Sequence, residues 1–468
     1  IPRGILASLS PHTVEVLSQY SPAFANNLVD AAPLSINPRR TWIAVMALGA
    51  FGLYLVGVPG LLSRRALRQL PGTLAVFAVP FALFGVYSRE NLNGLVYWFW
   101  SSPDGGGGDL FGPFVNRNHF AGWMLMTVCV LVGSLFGQIE SASPGGGALG
   151  PQRRLAWLSS AQANGLLMMG AAVLVTATSL FWTMSRSAMT GFGVAGVAFL
   201  WLVSTRRGLG TTRRSVAVAA LGIAIFMGVM RRGPALIAEW FQDERDLLSR
   251  LEAWRDGWDV VRDFPLWGTG LNTYSDAMLF YQHRNPGYHL ATAHNDYLQV
   301  LAEGGLIVVI PAAAAIILLA RAILRNLRAA APEARGYWIR AGAAVGLLAM
   351  AVQEVFEFSL QIPADSLLFC TLAAVALAPV HASTRRSSGE TADRVSDRTA
   401  GTMSRDNTPV MKSRTDAPLP QLQVKVGTPL AIPEPVGALA QSHHSQTLVS
   451  LPKLQLARLA SADLQRRR

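Results

Sequence analysis

The chain has 468 residues, 51% of them hydrophobic and 15% charged, with 40 Lys and Arg against 28 Asp and Glu. That is too apolar for a soluble protein of this size and too long for a single core. The net charge of +12 does not point to nucleic acid, because most arginines fall in short connections between apolar stretches, where basic residues flank membrane spans. The two cysteines, Cys129 and Cys370, both lie inside apolar stretches and read as buried thiols that say nothing of redox compartment.

The sequence opens at Ile1 with no methionine and no signal-peptide pattern, so an N-terminal part of the protein is expected to be missing. Residues 1–40 are a polar, proline-containing segment before the first span. Nine apolar segments of helical length follow, at about 41–62, 70–88, 118–138, 161–183, 188–204, 214–230, 296–320, 337–358 and 364–380. Each approaches the length needed to cross a hydrocarbon layer of ~30 Å as a helix. The predicted fold is all-α, a polytopic transmembrane helical bundle. Arginines after the first, third, fifth and seventh spans, among them Arg64, Arg153, Arg206 and Arg321, put those loops on the cytoplasmic side and make the crossings alternate. The outer face then receives residues 1–40, 89–117, the turn at 184–187, the long loop 231–295, and 359–365.

The long loop is the one extended hydrophilic excursion of the membrane domain, and long loops tend to be functional. Leu247, Leu251, Trp254, Trp258 and Val261 recur at helical spacing within it. This predicts an amphipathic helix over about 239–264, lying along the interface with tryptophans at headgroup depth and ending at Pro265. Gly268-Thr269-Gly270 makes a turn and lacks the strand and third glycine of a dinucleotide fingerprint. The organisation is therefore an outer segment 1–40, a membrane domain 41–380, and a tail 381–468. The tail holds all three lysines, with thirteen Lys and Arg against seven Asp and Glu, and reads as a disordered, basic cytoplasmic tail.

Several polar residues sit at predicted span ends on the outer face. Arg186 lies in a turn too short to need a charge; it is either a snorkelling anchor or a functional cation. Arg250 lies on the interfacial helix, where pairing with Asp246 or Glu252 is the bland alternative. His294, Asn295 or Asp296 could cap the seventh span, or His294 could accept a proton from a hydroxyl, since imidazole titrates near neutrality. Arg117 precedes Asn118 and His119, either of which could cap the third span. Glu303, about two turns into the seventh span, and Glu354 and Glu357, sharing a face of the eighth, are carboxylates that need partners, with the nearby arginines the obvious candidates. His283, His289, His294 and Asp276 match no zinc spacing, so no metal is expected. Asp104 to Asp109 is a glycine-rich loop without the lysine of a phosphate loop.

In order along the chain stand Phe114-Val115-Asn116-Arg117-Asn118-His119-Phe120-Ala121, Ser185-Arg186-Ser187, Arg250…Trp254, Pro265…Gly268-Thr269-Gly270, and His294-Asn295-Asp296-Tyr297-Leu298-Gln299…Glu303-Gly304-Gly305-Leu306. Together, over about residues 1–380, they resemble the O-antigen ligase/polymerase family of bacterial membrane glycosyltransferases. The resemblance implies about a dozen spans, several of them N-terminal to this sequence. It implies an inverting, metal-independent transfer, without a cofactor, of a glycan from an undecaprenyl diphosphate carrier to an acceptor hydroxyl at the periplasmic face of the inner membrane. The acceptor would be a lipid A-core sugar in a ligase, or a growing carrier-linked glycan in an O-antigen or exopolysaccharide polymerase. His294 would be the general base. Arg186 and Arg250 would hold the diphosphate. From their own positions, Arg117, in a stretch polar enough to line a headgroup pocket, is a further candidate for the diphosphate, and Glu303, Glu354 and Glu357 are candidate supporting residues. A transporter of lipid-linked sugar is the reading from another class, and it lacks the clear internal repeat such proteins often show.

Overall fold

A computed structural model describes residues 1–92, 95, 97–100, 110–141, 159–205, 222, 244–284, 289–329 and 334–378. The sixth predicted span, the glycine-rich loop and the tail lie outside the described residues. Among those described the structure is helical, with two isolated bridges and no strand. Six helices are long and apolar enough to cross a membrane: α4 (Pro38–Leu61), α5 (Arg64–Asn91), α6 (Arg117–Ser141), α7 (Ala161–Trp182), α8 (Arg186–Thr205) and α11 (Asp296–Ala329). Two more helices among the described residues, α12 (Ala334–Gln353) and the shorter apolar α13 (Pro363–Leu377), pack in the same bundle.

The core forms around α6, which is enclosed almost over its whole length. Its main partner is α12, running antiparallel. A Cβ on Gly133 would lie 2.3 Å from the Trp338 carbonyl oxygen, and one on Gly342 would lie 2.6 Å from that of Cys129. Only glycine permits this approach, the small-residue packing typical of membrane helices. Gly191 on α8 meets α12 in the same way, 2.7 Å from the Ala349 carbonyl. By contrast α4 and α11 leave large apolar side chains such as Leu53, Val56, Ile310 and Leu318 exposed, as lipid-facing helices do.

The helices alternate in direction. Gly122 lies against Gln353, and Gly137 against Arg335. The starts of α6, α8 and α11 therefore gather with the end of α12 at one end of the bundle. A second apolar cluster caps that end. It joins α2 (Pro11–Tyr20), the loop helices α9 (Glu244–Asp263) and α10 (Tyr274–Tyr281), and the first turns of α11. Residues 1–40, read from sequence only as a polar segment, fold into α1 (Arg3–Leu9), α2 and α3 (Pro22–Ala25) and dock on the same cap. Ile36 N donates to the Thr269 carbonyl at 2.9 Å, and Asn37 Nδ2 to Asp276 at 3.0 Å.

Two expectations need correction. Helix α11 is broken at Gly305, whose φ of 58° and ψ of −170° belong to a region open essentially to glycine alone. The turn Pro265–Gly270 fills the break: Leu306 N bonds Pro265 O, Gly270 N bonds Glu303 O, and Thr269 N bonds Ala302 O, at 2.8–3.0 Å. Residues 296–304 are thus a short helix of the cap rather than the start of a continuous span. Similarly, the eighth span was expected to run through 358, but α12 stops at Gln353. Glu354 and Glu357 lie on a turn ahead of a 3₁₀ segment, Ser359–Gln361, and not on one helical face.

Helix α9 divides its apolar residues between two sides. Ala253, Val260 and Val261 are buried in the cap, whereas Leu247, Leu251 and Trp258 remain exposed. The exposed stripe is the surface the interfacial reading requires.

Candidate functional site

The site begins with His294, whose backbone is held in the left-handed region at φ 48°. Its neighbours fix it there. Ala293 N donates to Gln299 Oε1 at 3.0 Å, and the Ala293 carbonyl accepts from Trp254 Nε1 at 3.0 Å. Capping of α11 falls to Asn295, whose Oδ1 accepts from Leu298 N at 3.0 Å. Of His294, Asn295 and Asp296, the three residues that could cap this helix, it is Asn295 that does so, and the imidazole takes no part in the cap. It is one-third exposed, and Nδ1 points at Glu357 Oε2 at 3.9 Å. Neither atom has a hydrogen-bond partner.

Glu357 is almost wholly buried and is shared. Its Oε1 lies 3.1 Å from Arg250 Nη1. The same guanidinium donates to the Phe356 carbonyl. Arg250 thus pairs across 107 residues of sequence, and Trp254, one turn on, packs its ring toward Phe356. The residues read separately as an interfacial arginine, a loop histidine and a span carboxylate form one chain: guanidinium, carboxylate, imidazole. The turn at 354–358 makes this possible, since a continued helix would carry Glu357 past both partners.

Glu354 and Glu303 differ from Glu357. The Glu354 carbonyl accepts from Asp296 N at 3.1 Å, and its carboxyl accepts from Leu360 N at 3.4 Å, so it fastens the turn to the start of α11. Glu303 accepts from the backbone amides of Asn272 and Tyr274 at 2.6 and 3.0 Å and from Gln299 Nε2 at 3.1 Å. Its partners are amides at the start of α10 rather than an arginine. It fastens the start of α10 to the first turns of α11.

Arg117 and Arg186 open α6 and α8 at the same end of the bundle. The Gly191–Ala349 contact sets the start of α8 level with the end of α12, near Glu354. The structure brings the two arginines there by helix packing, whereas the direct contacts run among Arg250, Glu357 and His294. The cap of α6 is Asn116, whose Oδ1 accepts from Asn118 N at 2.8 Å, and not Asn118 or His119. His119 is instead buried, edge-on to Phe358 at 4.7 Å, while His294 meets the same ring at 5.0 Å. Sequence gave His119 only a capping role; nothing in its spacing links it to a ring 239 positions away.

The remaining candidates diverge. His289 Nε2 lies 2.9 Å from the Ser275 hydroxyl and Asp276 binds Asn37 and Arg40, and no group of three possible metal ligands forms among the described residues. Elsewhere in the cap, Arg284 pairs with the buried Asp256 at 2.6 Å and with Asp259 at 3.1 Å. Burial, and the hydrogen bond to Asp263, hold the Tyr281 phenol well above its usual range, so it remains a donor. Asp365, at the start of α13, is fully buried with neither oxygen hydrogen-bonded.

Residues 171–313 match the family described as O-antigen ligase. This stretch is similar to the O-antigen ligase/polymerase family. Comparison with curated proteins gives no match to this chain. The O-antigen ligase match is narrower than the resemblance over residues 1–380. It takes in Arg186, Arg250, His294 and Glu303, and Arg117, Glu354 and Glu357 lie outside it. An O-antigen ligase domain implies a multi-pass membrane enzyme whose substrates are lipid-linked glycans.

Proposed function

We propose that this protein transfers a glycan from undecaprenyl diphosphate to an acceptor hydroxyl at the periplasmic face of the bacterial inner membrane, in the manner of an O-antigen ligase, with His294 as general base. The observation that carries the reading is Glu357, buried between Arg250 and His294. A carboxylate facing Nδ1 favours the tautomer with Nε2 free to accept a proton and stabilises the imidazolium that results. The separation of 3.9 Å is longer than a hydrogen bond, and catalytic contacts are commonly loose without substrate.

In the proposed step the acceptor oxygen attacks the anomeric carbon from the face opposite the carrier, which inverts it. The bond from that carbon to the diphosphate oxygen breaks, the hydroxyl proton passes to His294 Nε2, and the diphosphate leaves as an anion on its carrier. A positioned base typically contributes ~10²–10⁴-fold. Guanidiniums stabilise the growing charge of the leaving group. Arg186 and Arg117 supply that role from the helix starts at this end of the bundle. Arg250 is engaged with Glu357, so it acts on the imidazole through the carboxylate as well as on the diphosphate. The chemistry asks nothing of a metal or cofactor, since the carrier already activates the sugar.

The test is mass analysis of products after full-length protein is given a carrier-linked oligosaccharide, with and without a lipid A-core acceptor. A new glycosidic bond to lipid A-core supports the ligase reading. Extension of the carrier-linked chain alone would make the protein a polymerase. Movement of the carrier across vesicles with no new bond would make it a transporter and end the enzymatic reading.

A further inference from the structure

A cavity of about 650 Å³ lies at the end of the bundle opposite His294, between α5, α6, α7 and α12. It plays no part in the transfer. Its lining is ordered by chemistry along the helix axes. At the rim stand Arg68 on α5, Arg335 at the start of α12 and Gln138 near the end of α6. Thr73 and Ser134 come next, and then the apolar Val76, Met169 and Ile339, of which Ile339 is buried and Val76 open to the surface. Arg68 and Val76 are eight residues apart, about 12 Å along a helix. Two guanidiniums and a carboxamide thus give way to hydroxyls and then to hydrocarbon over a fraction of a membrane leaflet.

Among the described residues no carboxylate lines it. The apolar wall continues into surface that faces outward from the bundle: Val76 and Phe77 on α5, and Leu167 and Met168 on α7, are all exposed. A cavity that is cationic at the rim, apolar in depth and continuous with the lipid-facing surface matches one kind of occupant. We propose that it is a binding site for an anionic phospholipid, with the phosphate between Arg68 and Arg335 and the upper acyl chains against Val76 and Met169. Guanidinium suits phosphate by its fork of donors. The volume falls within the range of ordinary ligand sites. A free phosphate ion would use the rim and leave the apolar wall without purpose, so the lipid is the occupant the lining selects.

The experiment uses full-length protein reconstituted in vesicles of equal parts phosphatidylglycerol and phosphatidylcholine, extracted, and weighed by native mass spectrometry. The expected result is preferential retention of phosphatidylglycerol. It should fall roughly fivefold for each guanidinium removed in Arg68→Gln and Arg335→Gln, the contribution of one basic residue beside an anionic headgroup. Gly72→Trp should abolish retention with both charges in place, since a side chain at Gly72 enters open space at the cavity. That variant decides the matter alone if the arginine variants do not fold. Equal retention of the two lipids, unchanged retention in Gly72→Trp, or displacement of the bound species by excess inorganic phosphate would each overturn the assignment.

Discussion

Arg250 and Glu357, 107 residues apart in the chain, form an ion pair at 3.1 Å in which the carboxylate is almost wholly buried. The pair ties the cap to the turn after α12. Removing one partner strands a buried charge, which typically costs ~3–5 kcal/mol, whereas replacing both by apolar residues is often neutral. Arg250→Ala should therefore lower thermal stability more than the double variant Arg250→Met/Glu357→Leu. Melting measured in detergent by intrinsic fluorescence checks this; additive effects would mean that the two side chains act independently.

Glu357→Gln keeps the size and one acceptor for Arg250 but removes the charge facing His294 Nδ1. Transfer should fall about 10²-fold, chiefly in kcat, because the imidazolium loses its counter-charge while acceptor binding is untouched. A loss confined to KM would place Glu357 in substrate binding instead.

His294→Ala should abolish transfer, by ~10²-fold or more, without changing insertion or abundance. The side chain is one-third exposed and caps nothing, so little packing is lost. Near-normal glycan transfer in this variant would remove His294 from its assigned role.

Arg186→Lys preserves the charge and loses the planar fork. If Arg186 holds a diphosphate, activity should drop roughly tenfold or more. Wild-type rates would make it a snorkelling anchor.

Gly133→Ala tests the central packing. Its new Cβ would stand 2.3 Å from the Trp338 carbonyl, and overpacking of this kind typically costs ~1–3 kcal/mol. A lowered melting temperature is expected, with Gly72→Ala, which meets nothing within 4 Å, as the neutral control.

Much of the architecture was legible before any coordinates. Apolar length and arginine placement predict the helical bundle and a shared end for Arg117, Arg186, Arg250 and His294, because span length and loop charge are local properties of the chain. The break in α11 was not read from the sequence, where the seventh span runs unbroken over about 296–320. Gly304-Gly305 is the sort of pair that interrupts a helix, yet hydrophobicity runs on through Leu306 and hides it. Glu303 illustrates the limit. A carboxylate two turns into a span asks for a cation, and the answer, the amides of Asn272 and Tyr274 at the entry to α10, exists only because the Pro265–Gly270 turn docks into the break.

The sequence by itself determined that this is a polytopic helical membrane protein with its polar chemistry at one end, since each of those follows from composition and period along the chain. Only the tertiary structure decided which of the polar residues touch. Glu357 reaches Arg250 and His294 because α12 stops at Gln353 and the cap folds over that stop. A hydrophobic pattern encodes which face a residue takes, and carries no record of what will be packed against it.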